Sequence, residues 1–286
     1  MYKGKKISVA IATYNGEAFL SQQLDSILNQ TVVPDEILIS DDGSLDQTVR
    51  IAKQYIENHK DLPGIVVRTD NPRHGIGGNF EWAIRHTTGD VIFICGQDDI
   101  WLPEKIEHVV NAFQANPGAE LVCHNLSCVD ANSEPLPLWP VNSILHNLTC
   151  TDNKAVHIPR ERYLEPVIST VLISGPAACI SRSFSEKSLP IPDGLPEDWW
   201  LQFCAVADDK AYYVDEILTR YRIHNSACHS EEMNKREHFA KIVKKIRTSN
   251  RTTRSLTQFY SAATQYLLDN GINENQNTDA FRTLTD

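Results

Sequence analysis

Adjacent carboxylates at Asp98 and Asp99, set just behind the apolar run Val91-Ile92-Phe93-Ile94-Cys95, have the chemistry to hold a hard divalent cation. Such a cation, Mg2+ or Mn2+, takes one or two protein carboxylates and completes its shell with substrate phosphates and water. There it neutralises the charge that grows on a departing diphosphate. A second acidic pair, Asp41-Asp42, follows Glu36–Ser40 and offers acceptors to a nucleobase imide or a ribose hydroxyl. A plain turn accounts for each pair as well. An aspartate can cap the helix that starts near Pro103, and Asp42-Gly43 is a turn signal with Asp46 available as the next cap.

Short β-branched runs alternate with helical patterns up to about Asp130, which predicts βαβ units around a mostly parallel sheet. Strands are expected at Ile7–Ala12, Glu36–Ser40, Ile65–Thr69, Val91–Cys95 and Leu121–Cys128, and helices at Ala18–Asn29, Asp46–Asn58, Gly77–His86 and Pro103–Asn116. Three polar clusters, Thr13-Tyr14-Asn15-Gly16, Ser40-Asp41-Asp42-Gly43-Ser44 and Gln97-Asp98-Asp99, each fall just after one of these strands. Ligands of open α/β sheets bind at the carboxyl ends of strands, so the clusters should meet in one crevice. From Ala131 to about Pro166 the periodicity fails and a long irregular insertion is expected. An apolar run Val167–Ile173, a strand near Ala178–Ser181, a helix from Glu197 and two short strands at Ala211–Val214 and Ile217–Arg222 follow.

The 286 residues carry a formal net charge of −10, which argues against nucleic acid as a partner. The run after the basic Met1–Lys6 reads as a first strand rather than a signal-peptide core, which places the protein in the cytoplasm. Seven cysteines form no CxxC pair and read as reduced, buried thiols. Between Lys235 and Arg254 the charge reverses, and Phe239, Ile242, Val243 and Ile246 recur at helical spacing among lysines and arginines. Such a helix can lie on an anionic membrane surface, or pack on the body with its basic face solvated.

The series Ser8-Val9-Ala10-Ile11-Ala12-Thr13-Tyr14-Asn15-Gly16, Ile39-Ser40-Asp41-Asp42-Gly43-Ser44, Gly78-Asn79-Phe80 and Gln97-Asp98-Asp99-Ile100-Trp101-Leu102-Pro103-Glu104-Lys105 resembles the family 2 glycosyltransferases, and among them bacterial enzymes that build O-antigens, capsules and related surface polysaccharides. The resemblance covers roughly Ile7 to His224 and implies the α/β GT-A fold, a Rossmann-like mixed sheet flanked by helices. It implies a GT-A domain over residues 1–228, with a donor half to about 130 and an acceptor half beyond, while the helical pattern and basic charge after it read as an extension over 229–286. Thr13, Tyr14 and Glu17 would line the base pocket, Asp42 with Asp41 beside it would bind base or ribose, and Asp98 and Asp99 would supply ribose and metal contacts. Asn79, closing the loop Asn71–Asn79 whose glycines let backbone amides approach a phosphate, joins the donor-binding set. Many relatives carry an aspartate where this chain has Gly96.

Leu195-Pro196-Glu197-Asp198-Trp199-Trp200-Leu201 is similar to the family segment that carries the catalytic base, which makes Asp198 the expected base of an inverting transfer, with Glu197 beside it. Pro196, Glu197 and Asp198 also suit the opening turn of a helix. Of the two tryptophans, Trp200 is expected to stack on a sugar while Trp199 enters the core. Gly175, in Ser174-Gly175-Pro176 before a strand, is expected to shape the acceptor pocket or equally to form a plain turn. Tyr221-Arg222-Ile223-His224 resembles a segment whose histidine completes the metal site and whose arginine meets the diphosphate with its planar fork. The implied partners are a UDP- or dTDP-sugar donor and a lipid-linked oligosaccharide or glycan acceptor, with peripheral contact at the inner face of the cell membrane. Two rivals remain: a sugar nucleotidyltransferase, which would need a glycine-rich basic loop where this chain has Tyr14-Asn15-Gly16-Glu17, and a glycan or nucleotide-sugar binding module without turnover.

Overall fold

Strands made of consecutive apolar residues have no polar face and must be covered on both sides. The computed structural model describes residues 1–59, 65–69, 75–137, 145, 148, 155–169, 171–224, 250–272 and 284, and it shows that layering. The strands are β1 (Ile7–Thr13), β2 (Glu36–Asp41), β3 (Ile65–Arg68), β4 (Val91–Cys95), β5 (Ile100–Trp101), β6 (Leu121–Val129), β7 (Pro135–Leu136), β8 (Val156–His157), β9 (Ala178–Ser181) and β10 (Ala211–Arg222). The helices are α1 (Leu20–Leu28), α2 (Thr48–Asn58), α3 (Gly75–His86), α4 (Lys105–Ala115), α5 (Arg160–Ser169), α6 (Arg182–Ser188), α7 (Glu197–Ala207) and α8 (Asn250–Asp269).

One mixed sheet runs in the order β3-β2-β1-β4-β9-β6-β10-β5, with β7 paired to β6 and β8 to β10. Strands β1 to β4 are parallel, β9 runs antiparallel between β4 and β6, and β10 lies parallel to β6. The carboxyl ends of β1, β2, β4, β6 and β10 and the amino end of β9 therefore share one edge of the sheet. Alternation along each strand divides the core in two. Ala10, Ile92 and Ile94 face α3, α5, α7 and α8, whereas Val9, Ile11 and Phe93 face α1 and α4.

Two expectations need correction. The segments Ala211–Val214 and Ile217–Arg222 form a single strand, β10, whose register against β6 shifts around Ile217, so the polar Asp215-Glu216 is a bulge rather than a turn. The insertion from Ala131 to Pro166 is not wholly irregular, because β8 and most of α5 lie within it. Helix α5 carries Pro166 inside it, and burial of Tyr163, Leu164, Val167 and Ile168 outweighs the hydrogen bond that proline forfeits.

Helix α8 is held by its own period. Phe259, Ala263, Tyr266 and Leu267 are buried, with Phe259 stacked on Trp199 at 4.3 Å between ring centroids. The basic amphipathic helix expected between Asn234 and Arg254 lies almost wholly outside the described residues, as does the first part of the loop 71–79. Cys95, Cys123, Cys128, Cys179 and Cys204 are buried free thiols, as expected of these five. No helix among the described residues is long and apolar enough to cross a membrane.

Candidate active site

The loops after β1 and β2 are stitched to one another. Asn15 donates its N–H to Ser44 Oγ at 2.8 Å and accepts from Leu45 N at 2.9 Å, Gly16 N donates to Thr48 Oγ1, and Glu17 accepts from Gln47 N. Asn15 adopts a left-handed φ of 49°, which asparagine tolerates better than most residues. Gln97, after β4, clamps the same loop from its other side: its Oε1 accepts from Tyr14 N and its Nε2 donates to Tyr14 O. A Cβ on Gly16 would come within 2.1 Å of that amide oxygen, so a side chain there would push the Gln97 amide off Tyr14.

This stitching revises the donor-side assignments of Asp41, Thr13 and Asn79, which are buried in it, and engages one oxygen of Glu17. Asp41 is buried, and its carboxylate accepts from Thr13 Oγ1, Gly43 N, Ser44 N and Ser44 Oγ, so it builds the loop instead of meeting a nucleotide. Thr13 is buried by the same bond. Asn79 is buried too, accepting from Ser40 Oγ at 2.6 Å and donating to Thr13 O at 3.2 Å. Glu17 is exposed, but one carboxylate oxygen meets the start of α2. Asp42 and Tyr14 are left facing outward: Asp42 accepts from Gly75 N at 3.2 Å and is half-buried, and Tyr14 is 47% exposed.

Beyond β4 the acidic pair divides its tasks. Asp99 is 1% exposed, its Oδ1 accepts from Arg222 N at 3.0 Å, and its Oδ2 is buried with no hydrogen-bond partner. Burial, then the charge of Asp98, pushes the Asp99 carboxyl far above the usual carboxylate range. Asp98 is half-buried, and its Oδ2 accepts from His224 Nε2 at 3.0 Å. Gly96 lies against both: a Cβ there would sit 3.2 Å from Asp98 Oδ1 and 3.6 Å from Asp99 Oδ2. Two carboxylate oxygens thus flank one small space, one of them orphaned, and this donor set fits a hard cation whose positive charge would offset the burial of Asp99. Among the described residues no cluster of three or more His, Cys, Asp or Glu encloses a metal, so phosphate and water would have to supply the remaining ligands. His224 has Asp98 as its immediate partner and packs on Phe19 at 4.5 Å, which orients the carboxylate.

Arg222 is not free for a diphosphate. It is 1% exposed; Nε donates to Asp98 O, Nη1 to Asp130 O, Ala131 O and Ser133 Oγ, and Nη2 to Gln22 Oε1. Its guanidinium lies 4.7 Å over the Phe19 ring. The fork that suits phosphate is used to tie β4, β6, α1 and β10 together behind the acidic pair.

On the opposite side Asp198 sits in the first turn of α7, half-buried, and its Oδ2 accepts from Gly175 N at 3.2 Å. Gly175 is buried and packs so closely that a Cβ would lie 2.9 Å from Glu197 Oε1, so it seats α7 rather than forming a pocket wall. Glu197 is buried with Oε2 unpartnered, and burial followed by the charge of Asp198 raises its carboxyl well above the ordinary value. Trp200 does not reach a sugar: it is 5% exposed, its Nε1 donates to Ser188 O, and it packs on Phe203 and Tyr266. Trp199 is buried as well, because the first turn of α7 is enclosed by α5 on one side and α8 on the other.

Tyr221 joins the two sides. Its phenol is raised by burial and then by Asp99, Asp98 and Asp198, so all three carboxylates lie within electrostatic reach of one hydroxyl. Motif reading gave Tyr221 no task; the strand period was the available signal, since it alternates with Arg222 at the end of β10. Gln22, which holds Arg222, carried no signal, being one polar residue on an amphipathic helix.

The sequence profile described as glycosyl transferase family 2 matches residues 8–165. A glycosyltransferase of Nostoc sp., itself uncharacterised, is 29% identical over 238 residues, covering 78% of this chain and 66% of the relative. The dTDP-rhamnosyl transferase RfbG of Shigella flexneri is 34% identical over 125 residues, 43% of this chain and 40% of that protein. The chain thus spans less than two thirds of the length of either relative. Among solved structures, the mannosyltransferase PcManGT from Pyrobaculum calidifontis, in complex with GDP-Man and Mn2+, superposes with a TM-score of 0.55 at 20% identity, over 98% of this chain and 73% of that one. The sheet order and flanking helices are those of the expected GT-A fold.

Proposed function

The chain belongs to glycosyl transferase family 2, and we propose on that premise that it carries out an inverting, metal-assisted transfer of a sugar from a UDP- or dTDP-sugar to a hydroxyl of a growing bacterial surface glycan, of O-antigen or capsule type. The observation that carries this reading is the pair Asp98 Oδ1 and Asp99 Oδ2, the latter orphaned, flanking Gly96 at the carboxyl edge of the sheet, with Asp198 in the first turn of α7 within electrostatic reach of the same Tyr221 hydroxyl. A cation held by Asp98 and Asp99 would offset the negative charge of the departing nucleoside diphosphate. Tyr14 offers an exposed ring to the nucleobase, and Asp42 offers an acceptor to the base or ribose.

Asp198 takes the proton of the acceptor hydroxyl while that oxygen bonds to the anomeric carbon and the bond to the diphosphate breaks on the opposite face. Gly175 N–H holds one carboxylate oxygen of Asp198 in place at the start of α7. Burial and the charge of Asp198 favour the neutral form of the neighbouring Glu197, which limits the negative charge beside the base. His224 and Arg222 serve as supports of Asp98 and Asp99 in this reading. The basic run between Lys235 and Arg254 would bring the enzyme to a lipid-linked acceptor at the inner membrane face.

The test is nucleoside-diphosphate release from a panel of UDP- and dTDP-sugars, with a synthetic lipid-linked acceptor, with and without chelator. Transfer that is lost on chelation and cut to a low, measurable residual rate in Asp198→Asn is the expected result. Turnover that Asp198→Asn leaves intact removes the base, turnover indifferent to chelator removes the metal, and no turnover of any donor favours a binding module.

A further inference from the structure

Lysine is almost never fully buried unless its charge is engaged. Lys105, the first residue of α4, is 1% exposed, and its ammonium lies 3.8 Å from the centre of the Trp101 ring. It donates to Pro176 O at 2.7 Å and to Thr219 Oγ1 at 3.0 Å. Buried thiols at Cys95 and Cys179, the carboxyl of Asp99 and the buried imidazole of His124 lie within its electrostatic reach. Burial, only partly offset by Cys95 and Asp99, pulls the ammonium down to about 7. Packing alone does not explain this, because an unbranched apolar side chain fills such a volume without the cost of a desolvated charge.

Both acceptors of the ammonium belong to parts that support the acidic groups. Pro176 follows Gly175, whose N–H holds Asp198 Oδ2 and whose α-carbon lies against Glu197. Thr219 belongs to β10, three residues before Arg222, whose N–H holds Asp99 Oδ1. One buried ammonium therefore ties the turn behind the acceptor-side carboxylate to the strand behind the donor-side carboxylate.

We propose that Lys105 is a positioning residue for transfer, fixing the Gly175–Ala177 turn, and through it the carboxylate of Asp198, relative to Asp98 and Asp99. The proposal rests on the reading of Asp198 as the base. Reacting groups misplaced by about 1 Å cost on the order of 100-fold in rate, so loss of the tie acts on turnover before it acts on donor binding.

The experiment is a double-mutant cycle on the full chain. Lys105→Met is measured alone and combined with Asp198→Asn, with UDP plus Mn2+ as the nucleotide-binding probe and the best donor of the panel as substrate. Lys105→Met is expected to lower kcat by roughly 10- to 100-fold while nucleotide affinity stays within about twofold, and to add almost nothing in the Asp198→Asn background. Lys105→Arg, which keeps a buried cation, should recover part of kcat. Unchanged kcat in Lys105→Met overturns the proposal, as does an equal loss in both backgrounds or a parallel loss of nucleotide affinity. If Lys105→Met fails to fold, Thr219→Val removes one anchor of the ammonium, and full kcat in that variant overturns the proposal as well. Full transfer by Asp198→Asn alone sinks the base reading, an outcome separate from any result on Lys105.

Discussion

The Nε of Arg222 donates to the backbone carbonyl of Asp98 at 2.7 Å, so the side chain read from sequence as a phosphate partner acts as the floor of the acidic pair. Arg222→Met leaves the carbonyls of Asp98, Asp130 and Ala131 without their donor. Urea denaturation should show a loss of about 3 kcal/mol or more, and Arg222→Lys should recover little of it, because a lysine has no planar fork. Unchanged stability together with a raised KM for the donor would return Arg222 to the diphosphate.

Gly96 is the place to probe the cation. A side chain there starts 3.2 Å from Asp98 Oδ1, so Gly96→Asp brings a third carboxylate into the space that two already flank. In chelator the variant should melt lower than the parent by several degrees, and Mn2+ should raise its Tm more than the parent's, since the added carboxylate binds only the folded site. Equal Mn2+ shifts in the two proteins, measured by scanning calorimetry, would show that the cation does not sit there.

Glu197 gives a stability that depends on pH. Its carboxyl, raised by burial and by Asp198, keeps its proton in the folded state at pH values where the unfolded chain, near the ordinary 4.5, has lost it. Stability therefore falls as pH climbs from that ordinary value toward the raised one, and a residue that cannot ionise escapes the fall. Glu197→Gln should be more stable than the parent at about pH 8, with the gain fading to nothing near pH 4. A gain that does not change between those two points refutes the assignment.

Trp200→Ala separates a core residue from a sugar platform. With Phe203 and Tyr266 against its ring, the substitution should cost about 3–5 kcal/mol in denaturation. A normal melting curve with a raised acceptor KM would restore the stacking role.

The donor half was legible because its signals are local. Val91-Ile92-Phe93-Ile94-Cys95 can only be a strand covered on both faces, and acids directly behind it must lie at the sheet edge. Which acid faces outward was not legible. Asp41 and Asp42 are equivalent as letters, and only the bonds from Thr13 and Ser44 turn the first inward. Trp199 and Trp200 were divided between core and crevice on the assumption that α7 has a free face, and α8, remote in sequence, removes that face. The Lys105 contact joins α4 to a turn some seventy residues later, and no spacing rule reaches that far.

Strand β9 follows the insertion in sequence yet is hydrogen-bonded between β4 and β6, both of which precede it. The two halves are thus woven through each other. They cannot swing as separate lobes about a linker, so access for a bulky substrate has to come from surface loops. Nor are they exchangeable as blocks. A crossover with a relative near residue 130 would import a foreign strand into the middle of the resident sheet.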